Sequence, residues 1–196
     1  YSTTISVVNC ANYAAIQSPS TTSGCIGGLL GHMSGKSSGE MTIKGCANHG
    51  AVSGLYGTTK TEGVGGLVGY SAMLTTVEDS YNMAKVTAAK YGGGGIAYKF
   101  NKKTTLTRVY NSGTLDIKRN SSLFSEGASV KAATCFSLQG VANYIGTSNT
   151  LSGVTKVSAA ELNGESTLTK LGDAFQAGPD GYPLLKWEAS GGDDIE

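Results

Sequence analysis

Side chains able to do covalent or metal chemistry are few in this sequence, and they do not cluster. The only histidines are His32 and His49, and the four cysteines are Cys10, Cys25, Cys46 and Cys135. Cys46 and His49 have a spacing that could serve a metal, but no second pair completes a set of four ligands, and neither CxxC nor HExxH occurs. No metal site and no cofactor is therefore expected. The cysteines read as small buried free thiols; a Cys10–Cys25 or Cys10–Cys46 bridge is the alternative. A serine nucleophile would need an activating neighbour, and no Gly-x-Ser-x-Gly elbow supplies the setting. The stretch Gly63-Val-Gly65-Gly-Leu-Val-Gly69 superficially suggests a phosphate-cradling loop. It lacks a Gly-Lys-Ser/Thr ending, and Val68 stands where GxGxxG requires glycine.

Carboxylates offer little more. Glu78 and Asp79 are adjacent, and adjacent residues on a strand point to opposite faces, which makes them a poor acid–base pair. The sequence thus nominates no catalytic residue. A polysaccharide-active enzyme stays open as the alternative, because other segments could bring partners alongside.

Binding is the better-supported chemistry. Ten tyrosines stand against four phenylalanines and one tryptophan. Tyr81 and Tyr110 occupy equivalent positions in two related segments. They should project outward one above the other, able to bind a sugar ring or a protein edge, or else to pack under a long turn or a tail. A basic run holds Lys85, Lys90, Lys99, Lys102, Lys103, Arg108, Lys118 and Arg119. It reads as a solvated face or as a contact for an acidic polymer. Nucleic acid is not expected, since no recognised nucleic-acid-binding signature accompanies it. The candidate ligand-binding set is Tyr81, Tyr110, Lys99, Lys102, Lys103 and Arg108, with a glycan or a host surface protein as partner.

These residues belong to an internal repeat. Cys10-Ala-Asn12-Tyr-Ala14-Ala-Ile16 matches Cys46-Ala-Asn48-His-Gly50-Ala-Val52, Ser80-Tyr-Asn82-Met-Ala84-Lys-Val86 and Val109-Tyr-Asn111-Ser-Gly113-Thr-Leu115. A weaker copy is Cys135-Phe-Ser137-Leu-Gln139-Gly-Val141. Similar residues fall at every second position, the period of one strand face. Three residues before each copy stands another apolar residue: Val7, Ile43, Val77, Leu106 and Ala132. A second motif follows three of the copies: Gly27-Gly-Leu-Leu-Gly31, Gly65-Gly-Leu-Val-Gly69 and Gly94-Gly-Ile-Ala-Tyr98. Units of roughly 30 residues with one apolar face cannot bury it alone and must stack.

The expected fold is therefore all-β: a parallel β-solenoid (β-helix) of about five coils over 1–156, each coil made of about three short strands. Stacking at about 4.8 Å would align Asn12, Asn48, Asn82 and Asn111 as a side-chain amide ladder. Asparagines in exposed turns are the competing reading.

The two motifs together resemble the bacterial GLUG-motif repeat, whose Gly-Leu-any-Gly core is Gly28-Leu-Leu-Gly31 and Gly66-Leu-Val-Gly69 here. Gly95-Ile-Ala-Tyr98 departs at the Leu and at the last Gly, and the fourth copy keeps only the Tyr-Asn-Ser-Gly half. The resemblance covers about 1–145. Gly172-Asp-Ala-Phe175 and Gly181-Tyr-Pro-Leu-Leu-Lys-Trp187 are similar to segments that close such arrays. What it implies is a modular, adhesin-like, secreted or cell-surface bacterial protein without a catalytic role, flanked by other domains of a longer parent chain.

The tail also has its own signals. Residues 1–157 carry a net charge of +7 and residues 158–196 one of −6, leaving +1 overall. Ser158 followed by Glu161 is a capping-box pattern. A short helix should follow, interrupted at Gly164, with a second helix over about 167–175. Pro183 limits Tyr182–Trp187 to an extended segment. Residues 157–188 are expected to cap the last coil, with Leu171, Phe175, Leu184 and Trp187 as the apolar face, and 189–196 to form a linker or a disordered end. No apolar run reaches the ~18–20 residues of a membrane span, and no signal peptide is visible. The chain opens in mid-pattern at Tyr1, which reads as an excised portion of a longer chain.

Overall fold

A computed structural model describes residues 3–19, 24–34, 39–54, 63–121, 123–139 and 151–190. The chain is mostly β, with 58% strand against 10% helix, built from parallel sheets with a few short helices and no closed barrel. The larger sheet joins one strand from each repeat in sequence order: Thr4–Val8, Glu40–Lys44, Leu74–Asn82, then Ala97–Asn111. A second sheet does the same with Ile16–Ser18, Val52–Gly54, Val86–Gly94 and Leu115–Ser121.

Pairing is parallel and joins equivalent positions of successive repeats. Val7 pairs Ile43, Ile43 pairs Val77, and Val77 pairs Leu106. Ile16, Val52, Val86 and Leu115 form a second column, and Gly27, Gly65 and Gly94 a third. The apolar columns line two interior clusters. Ile43, Val77, Leu67, Ile96, Leu106 and Phe100 anchor one, and Val52, Val64 and Val86 the other. Parallel register makes like residues neighbours, so a branched residue recurring once per repeat becomes a continuous apolar rib.

The asparagines form the polar counterpart. Asn12 Nδ2 donates to Asn48 Oδ1 at 2.8 Å, Asn48 to Asn82 at 2.8 Å, and Asn82 to Asn111 at 2.7 Å. The second hydrogen of each amide goes to the carbonyl two residues on: Ala14 at 2.8 Å, Gly50 at 3.0 Å, Ala84 at 2.9 Å and Gly113 at 3.0 Å. Asn48, Asn82 and Asn111 have no solvent exposure. Asn48 and Asn82 bond both hydrogens and the oxygen, which removes the penalty of burying an amide, and Asn111 accepts from Asn82 and donates to Gly113 O. Ser137 takes the next position, its Oγ buried without a protein partner. A one-carbon hydroxyl is too short to continue the chain of amides.

The glycine motif serves this column. A Cβ on Gly28 would lie 2.5 Å from Asn48 Cγ and 2.3 Å from Gly66 O, and one on Gly66 would lie 2.5 Å from Asn82 Cγ and 1.9 Å from Gly95 O. The second glycine of each pair is therefore the space the asparagine fills.

A corner column is present that the sequence reading did not contain. Asn9, Gly45, Asp79, Arg108 and Thr134 all have left-handed backbone, with φ of 51°, 61°, 46°, 53° and 56°. Each directly follows a strand position paired across the larger sheet. The kink turns the strand without a loop and uses up one residue. That is why the apolar residue before each copy stands three positions back instead of two. Four of the five are not glycine, and each such residue costs about 1–2 kcal/mol.

The tail corrects the expected capping arrangement. Val154–Val157 extends the larger sheet by pairing with Cys135–Leu138. Helix α1 (Ala159–Leu162) starts at the Ser158/Glu161 capping box, where Glu161 N donates to Ser158 Oγ at 3.2 Å and Ser158 N to Glu161 Oε2 at 2.7 Å. Helix α2 (Glu165–Leu171) begins directly after Gly164 and stops at Gly172, earlier than expected at both ends. Leu184–Leu185 pairs antiparallel with Phe175–Gln176 and leads into one turn, α3 (Lys186–Ala189), where only extended chain was expected.

The tail does not simply sit on the last repeat. Leu171, Phe175, Leu184 and Trp187 do supply its apolar face, but they pack along the flank against Ala47, Tyr81, Tyr110 and Phe136, which belong to four successive repeats. The outer aromatic column of Tyr81, Tyr110 and Phe136 gives that face its partner. The expected linker lies from residue 191 onward outside the described residues.

Asn82→Ala should lower unfolding free energy by about 2–4 kcal/mol, three buried hydrogen bonds at ~1 kcal/mol each plus orphaned neighbours. Asn12→Ala, at the half-exposed end, should cost about 1 kcal/mol or less. Gly66→Ala should cost about 3 kcal/mol or more through overpacking. Denaturant titration by circular dichroism checks all three. Thr134→Gly, at an exposed kink, should raise stability by about 1 kcal/mol.

Candidate functional site

The polar groups that converge most closely lie between the tail and the sheet flank. Helix α3 places Glu188 over the outer face of three repeats. Its carboxylate accepts from His49 Nε2 at 2.7 Å, from Tyr81 Oη at 2.7 Å, from Tyr13 Oη at 3.1 Å and from Leu185 N at 3.2 Å. The Glu188 side chain is 3% exposed and that of His49 18%. Tyr13 stacks on His49 with ring centroids 4.5 Å apart and planes at 16°, and Tyr81 meets the imidazole edge-on. Burial acts to raise the Glu188 pKa. Hydrogen bonds from His49 and Tyr81, the imidazole charge and the Leu185 N–H outweigh it and hold the carboxyl below its ordinary value.

Beside this latch, the kinked corner and the tail enclose a groove of about 360 Å³, lined by Val8, Asn9, Lys44, Gly45, Asp79, Ala174, Leu185, Lys186 and Trp187. The Trp187 indole donates through Nε1 to Gly45 O at 2.9 Å, which fixes the ring. Gly45 stands between the strands Glu40–Lys44 and Ala47–Asn48, outside the strand pairing. Asp79, its side chain 7% exposed, takes a bidentate contact from Arg108 at 2.5 and 3.0 Å. The pairing raises the Arg108 pKa further.

Tyr81 and Tyr110 do point to the outer face, but they do not meet solvent. Both have zero exposure, and their rings stack 4.8 Å apart at 3° beneath Phe175. The Tyr110 hydroxyl donates to Pro183 O. Burial pushes both pKa values upward, reinforced at Tyr81 by the Tyr110 phenol and Glu188 and at Tyr110 by Glu188 and Tyr182, so both remain donors. They therefore bind the protein's own tail and are not a ligand surface.

Lys99, Lys102 and Lys103 lie on another stretch of Ala97–Asn111. Lys99 pairs in register with Tyr70, and Lys103 borders a shallow groove of about 250 Å³ with Thr42, Thr76 and Thr105. Arg108 is bound to Asp79. The tyrosines and the lysines thus do not form one site. Lys85 pairs with Asp116 at 3.3 Å between exposed side chains. The side chains of Lys90, Lys118 and Arg119 lie outside the described residues.

All four cysteines are free; Cys46 and Cys135 are buried, but Cys10 is exposed and Cys25 intermediate, unlike the buried set expected. Burial pushes the Cys46 and Cys135 thiols up to about 11, which makes them inert. Among the described residues no group of three His, Cys, Asp or Glu could hold a metal. No helix there is long and apolar enough to cross a membrane.

The residues that sequence reasoning missed are Glu188, Tyr13, Gly45 and Asn9. Glu188 and Tyr13 stand 175 positions apart, and no local pattern connects them. The corner residues left one signal, the three-residue step in an otherwise two-residue period.

No known protein family matches the chain by sequence profile, and no curated protein matches it. A solved structure of a candidate immunoglobulin A1 protease from Bacteroides ovatus is similar at 18% identity and a TM-score of 0.45, over 93% of this chain and 67% of that one. A likeness at that level assigns neither fold nor activity to this chain.

Glu188 has a depressed pKa when folded, so its stabilising contribution is complete above the ordinary carboxyl value and disappears as pH falls through the folded value. Glu188→Gln should lose about 1–3 kcal/mol at neutral pH and should flatten the acid limb of a stability-versus-pH curve followed by Trp187 fluorescence. An unchanged acid limb would mean that the latch carries no such linkage.

Proposed function

We propose that this chain is a β-solenoid module of the GLUG-repeat kind, and that it serves a secreted or cell-surface bacterial protein as a non-catalytic structural and adhesive element. In this reading the stacked repeats form a stiff rod that presents a binding surface, with a glycan or a host surface protein as partner and further domains of a longer chain as neighbours.

The observation that carries the reading is the run of three asparagine-to-asparagine hydrogen bonds, 2.7–2.8 Å long, linking four repeats. A column that recurs once per repeat and is buried along most of its length supports a repeat built for stacking. The groups that do converge point the same way. Glu188, His49 and Tyr81 resemble an acid–base set by type, but both carboxylate oxygens are occupied by side chains of the same cluster. Among the described residues the His49 ring nitrogen meets Glu188 and the Tyr81 phenol, and that phenol is buried and held protonated. Buried phenols that stay protonated are clamps, not bases.

A glycan array probed with the labelled chain, run beside an assay for newly released reducing ends, tests the proposal. Retention of one glycan class with no release is the expected result. Release that is abolished by Asp79→Ala would replace this reading with that of a polysaccharide-active enzyme.

A further inference from the structure

We propose that the corner groove beside Trp187 binds an acidic saccharide, with one sugar ring lying on the indole and its carboxylate held between Lys186 and Lys44. The proposal rests on the adhesive reading and gives it a site and a ligand class.

Shape comes first. At about 360 Å³ the groove lies in the lower part of the range for small-molecule sites, ~300–1,000 Å³. It suits one or two rings better than a folded partner. Its floor is mostly apolar, from Val8, Ala174, Leu185 and the Trp187 ring. Val8 is 48% exposed, one of the two large hydrophobic side chains left open among the described residues. Tyr13, the other, already has a partner in Glu188.

Preorganisation comes second. The Trp187 indole is partly exposed, yet its Nε1 is tied to Gly45 O. It can meet a ring face without first losing rotamer freedom. Glycine suits this corner: its φ is +61°, and a Cβ there would stand 2.4 Å from Asn9 Oδ1, so the Asn9 side chain would have to move. Corner, groove and indole are thus one rigid construction.

Charge selects the ligand. Of the charged residues that line the groove, Lys44 and Lys186 stand against Asp79, a surplus of one positive charge. Asp79 is satisfied by Arg108, and Lys44 shares Glu78 at 3.4 Å. Lys186, exposed at the groove mouth, makes no ion pair among the described residues. A neutral sugar would leave that surplus unused, and a polyphosphate would exceed it. One carboxylate per ring, as in a hexuronate or a sialic acid, matches it.

Trp187 is the only tryptophan, so its fluorescence comes from a residue that lines this groove. The full chain is titrated with trigalacturonate, with sialyllactose, and with maltotriose as the neutral control, by fluorescence and by calorimetry. The expected result is saturable binding of an acidic sugar with a shift in Trp187 emission. It should weaken about tenfold or more in Lys186→Ala, a change at an exposed side chain that leaves the thermal melt intact, and it should weaken with added salt. Equal binding of maltotriose would overturn the proposal. So would calorimetric binding with neither a Trp187 response nor an effect of Lys186→Ala, which would put the saccharide elsewhere and leave the adhesive reading standing. No binding of these three sugars, alongside a positive glycan array, would overturn the ligand class alone. A blank array as well would remove both.

Discussion

An asparagine side chain buried without partners is costly, and this chain buries three of them completely. Everything else in the repeat region is arranged so that each amide meets the next. The backbone must return to the same place once per repeat, in parallel register, or the donors miss their acceptors. That requirement forces the second glycine of the Gly-Gly pair, because any side chain there would occupy the asparagine's volume. It also aligns the branched apolar residues into ribs, since the register that joins Asn48 to Asn82 joins Val52 to Val86. Polar and apolar columns thus specify one register between them. A slip by one residue would reverse every face at once.

The left-handed corner fits the same logic. A strand that ran straight through could not put Val77 in one interior wall and Asn82 in the next. Asp79 supplies the turn, and across the stack so do Asn9, Gly45, Arg108 and Thr134. Their backbone cost is offset locally in at least one case, since Arg108 and Asp79 hold each other by two hydrogen bonds. At the corner the carbonyl of Gly45 takes the hydrogen bond of the tail's indole. Tail and stack are joined there and through Glu188, so the outer aromatic face of the repeats is spent on the protein's own tail.

Much of this was legible in the sequence, for physical reasons. Period-two alternation within copies, and like residues between copies, follow from strands and parallel stacking, so Asn12, Asn48, Asn82 and Asn111 could be aligned by eye. The capping box at Ser158 is local chemistry and reads locally. What was not legible depends on distant parts of the chain. Tyr81 and Tyr110 are out of phase with the asparagines in the sequence, but sequence has no means of saying that Phe175, Pro183 and Glu188 come back to cover them. A ligand surface and a covered aromatic column look alike until the covering segment is located. The candidate groove escaped for the same reason: Val8, Asp79 and Trp187 share no neighbourhood in the chain. The corner could have been inferred from the broken alternation before Cys10, Cys46, Ser80 and Val109.

Side-chain amides in the column can be observed one by one in solution. Trans-hydrogen-bond nitrogen–carbon couplings, measured on the isotope-labelled chain, report directly which asparagine donates to which. The account predicts couplings from Asn12 to Asn48, from Asn48 to Asn82 and from Asn82 to Asn111, with the two interior amides exchanging with solvent only on global unfolding. Fast exchange at Asn48 and Asn82, with no coupling between them, would contradict it.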